Sequence, residues 1–180
     1  MAMDGEQLVD LLRDIERRSR ENAEGLPQQR DLTDYWEGVV FNVAGIRLIV
    51  ALDEITEILN QVPTISRVPG AKEWVKGVAN LRGNLLPIID LQGFLGGRSI
   101  VVGRRSRVLM INQEGLNAGL LVSSVMGMRH FPVENRGTDL KVNEAVKPYV
   151  NGGFIHDGEE WPVFSMLKLA SDPGFQVAAK

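Results

Sequence analysis

One unit is used twice in this chain, and that repetition limits what it can fold into. Gly77 to Leu95 reads GVANLRGNLLPIIDLQGFL, and 75 residues further on Gly152 to Leu169 reads GGFIHDGEEWPVFSMLKL. Aligned without gaps, Gly77 falls on Gly152, Gly83 on Gly158, Pro87 on Pro162, Ile88 on Val163 and Asp90 on Ser165. Each copy reads as an apolar strand, a tight glycine-containing turn, a second strand interrupted by proline, and a short helical turn. Asp90 and Ser165 open those helical turns and are residue types that cap helix N-termini. Upstream lies a second repeat. Val39 to Leu52 forms two strands around Ala44-Gly45, and Val108 to Val122 forms two more around Gly115, at an offset of 70.

Each half therefore contains about five short strands separated by turns and closed by a short helix. Antiparallel chains of this kind escape exposed edges by curling into small barrels. A half of roughly 70 residues buries little surface alone, so two barrels should pack together. The expected fold is all-β with short helices: two five-stranded barrels of the SH3/OB kind. The first barrel spans about 36–95, a connecting loop 96–106, the second barrel about 107–164 and a C-terminal helix 165–171. Residues 172–180 form a flexible tail. Residues 1–35 stand outside this scheme; Leu8, Leu11, Leu12 and Ile15 recur at helical spacing, and Gly25-Leu26-Pro27 ends the helix. Asp53 to Leu59 fits a helix or a bent strand. Pro87 and Pro162 lie inside apolar strands and should sit at an edge or a bulge, because proline cannot donate to a ladder.

Composition excludes several functions. The chain has no cysteine, which removes thiol nucleophiles, disulfides and Cys-based metal sites. His130 and His156 are the only histidines and are isolated from one another, so no metal is expected. Ser123-Ser124 lacks the GxSxG elbow, and neither GxGxxG nor a phosphate loop is present, so no enzyme and no cofactor are expected. A formal net charge of -3 argues against a dedicated nucleic-acid binder. No run approaches a membrane-spanning length and no signal peptide is apparent, which implies a cytoplasmic protein without direct membrane insertion. Arg98, Arg104, Arg105 and Arg107 form a basic cluster without interleaved aromatics. It is a solvated loop first, and an attractor of an acidic partner or a nucleic-acid backbone second.

Arg82 carries the sharpest functional expectation. It occupies a turn between strands, where an arginine is ordinarily exposed, and its counterpart in the second copy is Asp157. The fold thus needs no arginine there. A functional arginine would require a partner surface that accepts its planar fork.

GVANLRGNLLPIIDL, with the preceding RVPGAKEWVKG and the following RVLMINQEGLNAGLLVSSV, resembles the CheW-like coupling domain over about Val39 to Leu169. The resemblance implies two barrels with a hydrophobic junction. It further implies an adaptor joining the cytoplasmic tips of methyl-accepting receptors to the regulatory domain of a CheA-type histidine kinase, recruited to arrays at the inner membrane or cell pole. The N-terminal DIERRSR…GLP and the C-terminal EEWPVFS segments are similar to those of family members serving type IV pilus twitching motility. In the family the NLRG arginine matters for coupling. Arg82 becomes the first partner-binding residue, with Asn80 and Gly83 holding its turn, and Leu85, Ile46 and Leu48 as further contacts. Gly77, Pro87, Asp90, Gly152, Pro162 and Ser165 are assigned structural roles. Receptor contact is expected near the groove between the barrels, kinase contact on an exposed edge of the first, with self or paralogue contacts in an array. The alternatives are an adaptor of flagellar or other chemosensory signalling, a small-barrel nucleic-acid binder and a ligand-binding regulatory domain.

Overall fold

A computed structural model describes residues 35–113 and 115–179. The helix expected at Leu8 to Ile15 lies outside the described residues. Three hairpins close through turns whose two central residues both have positive φ: Ala44-Gly45 (54°, 78°), Arg82-Gly83 (54°, 90°) and Asp157-Gly158 (53°, 75°). This is the turn whose twist matches paired strands, and it places glycine where a side chain would strain the backbone. The turns join β1 (Tyr35–Val43) to β2 (Ile46–Ala51), β4 (Val75–Leu81) to β5 (Asn84–Asp90), and β10 (Val150–His156) to β11 (Glu159–Phe164). The remaining strands are β3 (Glu57–Leu59), β6 (Arg107–Gln113), β7 (Leu116–Val122), β8 (Ser124–Pro132) and β9 (Arg136–Gly137). Asp53 to Leu59 resolves into a single 3-10 turn, Leu52–Glu54, followed by the short strand β3.

The expectation of two closed barrels, one for each half, is overturned. The strands form two open mixed sheets, ordered β8-β1-β2-β11-β10-β9 and β3-β6-β7-β5-β4. Neither sheet closes, because its outermost strands do not hydrogen-bond to each other. The outer edge of β4 meets only a bridge between Val78 and Ser66, with both bonds at 2.8 Å. Each sheet also draws on both halves of the repeat. Hairpin β10–β11 lies against the β1–β2 pair through a parallel contact, Val163↔Ile49. Hairpin β4–β5 lies against β6–β7 through Ile88↔Gly119, Ile89↔Leu120 and Asp90↔Leu121, again parallel. Residues 57–122 thus supply the second sheet, and 35–51 with 124–164 the first. Local pairing was the natural guess, since sequential strands are usually neighbours, but these two crossovers defeat it.

The prolines follow from this topology. β5 and β11 are inner strands, so Pro87 and Pro162 are not on sheet edges. Each stands one residue before its strand's parallel pairing begins, at Ile88 and at Val163. The bulges occur elsewhere, between Val75 and Gly77 and between Val150 and Gly153. Gly77 is required there. A Cβ on it would lie 2.1 Å from the Ser66 carbonyl oxygen, and its φ is 138°.

Strand residues alternate between two cores, which explains why central strands are apolar on both faces. Val39, Phe41, Val43, Leu48, Val50, Leu109, Ile111 and Leu120 point into a core between the sheets. Their neighbours Val40 and Ile49 join Phe131, Phe154, Trp161 and Val163 inside the curl of the first sheet. Val108, Met110 and Leu121 join Ala79, Ile88 and Ile100 inside the curl of the second.

Short helices seal the central core. Helix α1 (Leu91–Phe94) starts at Asp90, whose Oδ1 accepts from Gly93 N at 3.0 Å. Helix α2 (Met166–Ala170) starts at Ser165, whose Oγ accepts from Lys168 N at 3.3 Å. Both capping assignments hold. Residues 173–179, expected as part of a flexible tail, form helix α3 (Pro173–Ala179), because Phe175 is fully buried and stacks at 6.1 Å on Trp74. Among the described residues no helix is long and apolar enough to cross a membrane.

Candidate functional site

The Arg82 turn is built by its neighbours. Asn80 Oδ1 accepts from Gly83 N at 2.9 Å, an Asx-type bond that fixes the turn from within. Arg82 sits at φ 54°, a conformation that disfavours non-glycine residues by about 1 kcal/mol. Its guanidinium projects outward with 82% of the side chain exposed, and Nη2 donates to Glu57 Oε1 at 2.7 Å. Glu57 belongs to β3 and Arg82 follows β4, the two outer strands of the second sheet. This ion pair therefore spans the open seam that no backbone ladder closes. Being exposed, it contributes at most about 1 kcal/mol, so it orients the guanidinium more than it holds the fold. One nitrogen is engaged; the rest of the donor fork faces outward.

Asn80, Arg82, Gly83 and Leu85 occur on the one hairpin, with Leu85 70% exposed and paired across from Asn80. Ile46 and Leu48 are not part of this cluster. They lie on β2 in the other sheet, Ile46 half-buried against the central core and Leu48 fully buried within it, which leaves the Leu48 side chain no free surface.

Sequence reasoning missed two features. Glu57 is one; opposite charge was its only signal, and 25 residues separate it from Arg82. The other is a groove of about 850 Å³ between the β4–β5 hairpin, the β6–β7 turn and the C-terminal helices. Val68, Leu85, Leu86, Leu116, Ala170 and Gln176 line it. Leu85 thus belongs to both the Arg82 hairpin and the groove wall.

The second copy of the hairpin has its own charge pair. Arg47 Nη2 donates to Glu159 Oε1 at 2.9 Å, and this bond holds the Glu159 carboxyl below the usual carboxylate range. The guanidinium groups of Arg47 and Arg129 lie 4.9 and 4.8 Å from the Trp161 ring centre. Trp161 is 3% exposed, in keeping with the core position its strand implies. Among the described residues no group of three His, Asp or Glu side chains could hold a metal ion. The site offers hydrogen-bond donors, an exposed leucine and a groove of mixed apolar and amide lining, which suit recognition of a partner.

Comparison with known proteins agrees with this geometry. Residues 37–173 match the model of the CheW-like domain. Protein PilI of Pseudomonas aeruginosa is 42% identical over 166 residues, spanning 92% of each chain. Protein FrzA of Myxococcus xanthus is 30% identical over 93 residues, 52% of this chain and 58% of FrzA. The crystal structure of the scaffolding protein TtCheW from Thermoanaerobacter tengcongensis superposes with a TM-score of 0.67 at 23% identity. It covers 77% of this chain and 94% of that one, a likeness of fold.

Proposed function

From the premise that this chain belongs to the CheW-like domain family, we propose that it is a non-enzymatic adaptor coupling methyl-accepting receptors to a CheA-type histidine kinase in type IV pilus twitching motility. Proteins of this family bridge receptors and such kinases. The pilus assignment is supported by the similarity to PilI, which extends over nearly the whole chain. The adaptor works in the cytoplasm, at receptor arrays.

One observation carries the reading of the surface: Arg82 is held outward by a single ion pair on a turn the fold would build equally well with Asp157. We assign the kinase to the Arg82 turn and the adjoining edge of β4, where the free guanidinium donors can take a bidentate acceptor. The groove walled by Leu85, Val68 and Leu116 suits the apolar stripe of a receptor helix. Contacts between copies or paralogues would then use sheet edges that neither partner covers.

The experiment is Arg82→Glu in the full chain. Binding to the regulatory domain of the kinase should fall at least about tenfold, and twitching should be lost. The melting temperature should stay within a few degrees of wild type, since an exposed pair contributes about 1 kcal/mol or less. Normal motility in a stably expressed variant would remove Arg82 from the contact surface.

A further inference from the structure

Charge is distributed unevenly along this chain. Residues 57–122 hold eight Lys and Arg against four Asp and Glu, whereas the rest of the chain holds twelve against nineteen. Within that segment no acidic residue occurs between Asp90 and Glu114, and Arg98, Arg104, Arg105 and Arg107 all fall in the gap. The loop between α1 and β6 therefore concentrates positive charge on a molecule whose total is negative.

That loop is anchored at both ends. The fully buried Asp90 accepts from Ser99 Oγ and from Ile100 N through Oδ2, both at 2.7 Å. Lys76 Nζ adds a bond to Ser99 Oγ at 2.8 Å. Ile100 turns inward and is 6% exposed in the core of the second sheet. Beyond it, the buried Ser106 bonds Gly103 twice, Gly103 N to Ser106 Oγ at 3.0 Å and Ser106 N to Gly103 O at 3.1 Å. Arg107 Nη1 donates to the carbonyls of Arg104 and Ser106 at 2.8 Å.

Between these anchors the chain presents what a solvated loop would not. Val101 is 91% exposed and Val102 49%, side by side at the crest. Arg98, Arg104 and Arg105 are exposed around them. None of the ion pairs among the described residues involves these three arginines. At the foot of the loop, Arg67, Lys72 and Lys76 line a cleft of about 320 Å³ that also touches Ser99, with Glu73 its only acidic residue.

We propose that this ridge is a docking surface for an acidic polypeptide segment, one whose carboxylates meet Arg98, Arg104 and Arg105 while an apolar side chain covers Val101 and Val102. Charge complementarity selects the occupant. An apolar centre ringed by arginines is the anatomy of a protein interface, where arginine is the favoured polar residue. A nucleic-acid strand would call for aromatic stacking platforms, and residues 95–113 contain no aromatic side chain. The anchored backbone keeps the ordering entropy lost on binding small. The ridge stands apart from the Arg82 turn and does not depend on the identity of the kinase or receptor.

The test titrates the full chain against a fluorescent peptide of alternating glutamate and leucine, read by anisotropy. Wild type should bind it, more weakly as salt is raised. R98E/R104E/R105E should lose at least about tenfold, while the charge-matched control R136E/K141E/K147E, on β9 and in the loop and 3-10 turn that follow it, should lose less than about threefold. V101S/V102S should lose about threefold at high salt, where apolar contact dominates. Equal losses in the two charge-reversal variants would overturn the proposal. So would no loss in V101S/V102S, or tighter wild-type binding to duplex DNA or to phosphatidylglycerol vesicles than to the peptide.

Discussion

The two copies of the hairpin solve one construction problem with different chemistry. In each, an aromatic residue precedes the first strand and its carbonyl accepts from the residue that opens the helix. Trp74 O takes Asp90 N at 2.8 Å, and Tyr149 O takes Ser165 N at 2.8 Å. Both aromatics pack on Phe94, with ring centres 4.9 and 5.9 Å away. Glycine allows the bulge in both, and positive φ shapes both turns. The differences begin with the carboxylate. Asp90 supplies its own and uses it threefold, for the α1 cap, Ser99 and Ile100. Ser165 has none, and Glu54 from the other half fills the place, Oε1 accepting from Ser165 Oγ at 3.4 Å and Oε2 from Met166 N. The turn charges are opposed as well: Arg82 reaches an acid on β3, and Glu159, next to the second turn, reaches Arg47 on β2. What both copies share is architecture; what they do not share is where partner recognition has room to differ.

That comparison can be broken most forcefully at its bulge glycines. Gly77→Ala drives a Cβ into the Ser66 carbonyl and should cost about 3 kcal/mol in urea denaturation. Gly152→Ala meets the nearest backbone at 3.0 Å with φ 68°, and should cost about 1 kcal/mol. Equal losses would show that the bulges are interchangeable.

The caps come next. Asp90→Ala should cost about 3 kcal/mol, because it removes the one acceptor that Gly93 N, Ser99 Oγ and the buried Ile100 N share. Ser165→Ala should cost about 1 kcal/mol, since the Glu54 carboxylate still holds Met166 N. A double-mutant cycle of Ser165→Ala with Glu54→Ala should show coupling of about 0.5 kcal/mol or more. Strict additivity would mean that Glu54 takes no part in the cap.

The smallest effect concerns Tyr149. Burial, then the hydrogen bond to Asp172 at 2.9 Å, raises its pKa from 10.0 to about 12. A folded-state pKa above the unfolded value means stabilisation that is complete below pH 10.0 and is lost as pH rises toward about 12. The melting temperature should decline across that window in wild type and more shallowly in Tyr149→Phe. Trp74, the counterpart without a titratable group, offers no such dependence.

Much of this was legible beforehand because turns and caps are local. Ala44-Gly45, Arg82-Gly83 and Asp157-Gly158 announce hairpins, and Asp90 and Ser165 announce helix starts, from residue types alone. The candidate site was half visible: the NLRG motif located Arg82, but its partner Glu57 and the groove beside Leu85 depend on strands remote in sequence. Leu48 misled because an apolar run does not say which of its residues face a core. The flexible tail misled for the same reason, since Phe175 needed Trp74 and Phe94 beneath it to become a helix anchor.

By itself the sequence determined the units: two related halves, the hairpins, the caps and the exposed arginine. Which hairpin joins which sheet was decided only in the tertiary structure. Both hairpins have similar strand patterns, so either could pair at home or across, and the pattern is indifferent to the choice. The crossed arrangement buries both faces of the central strands, one between the sheets and one inside each curl. Burial of apolar area is the dominant favourable term in folding, and it is a property of the whole assembly that no single repeat carries.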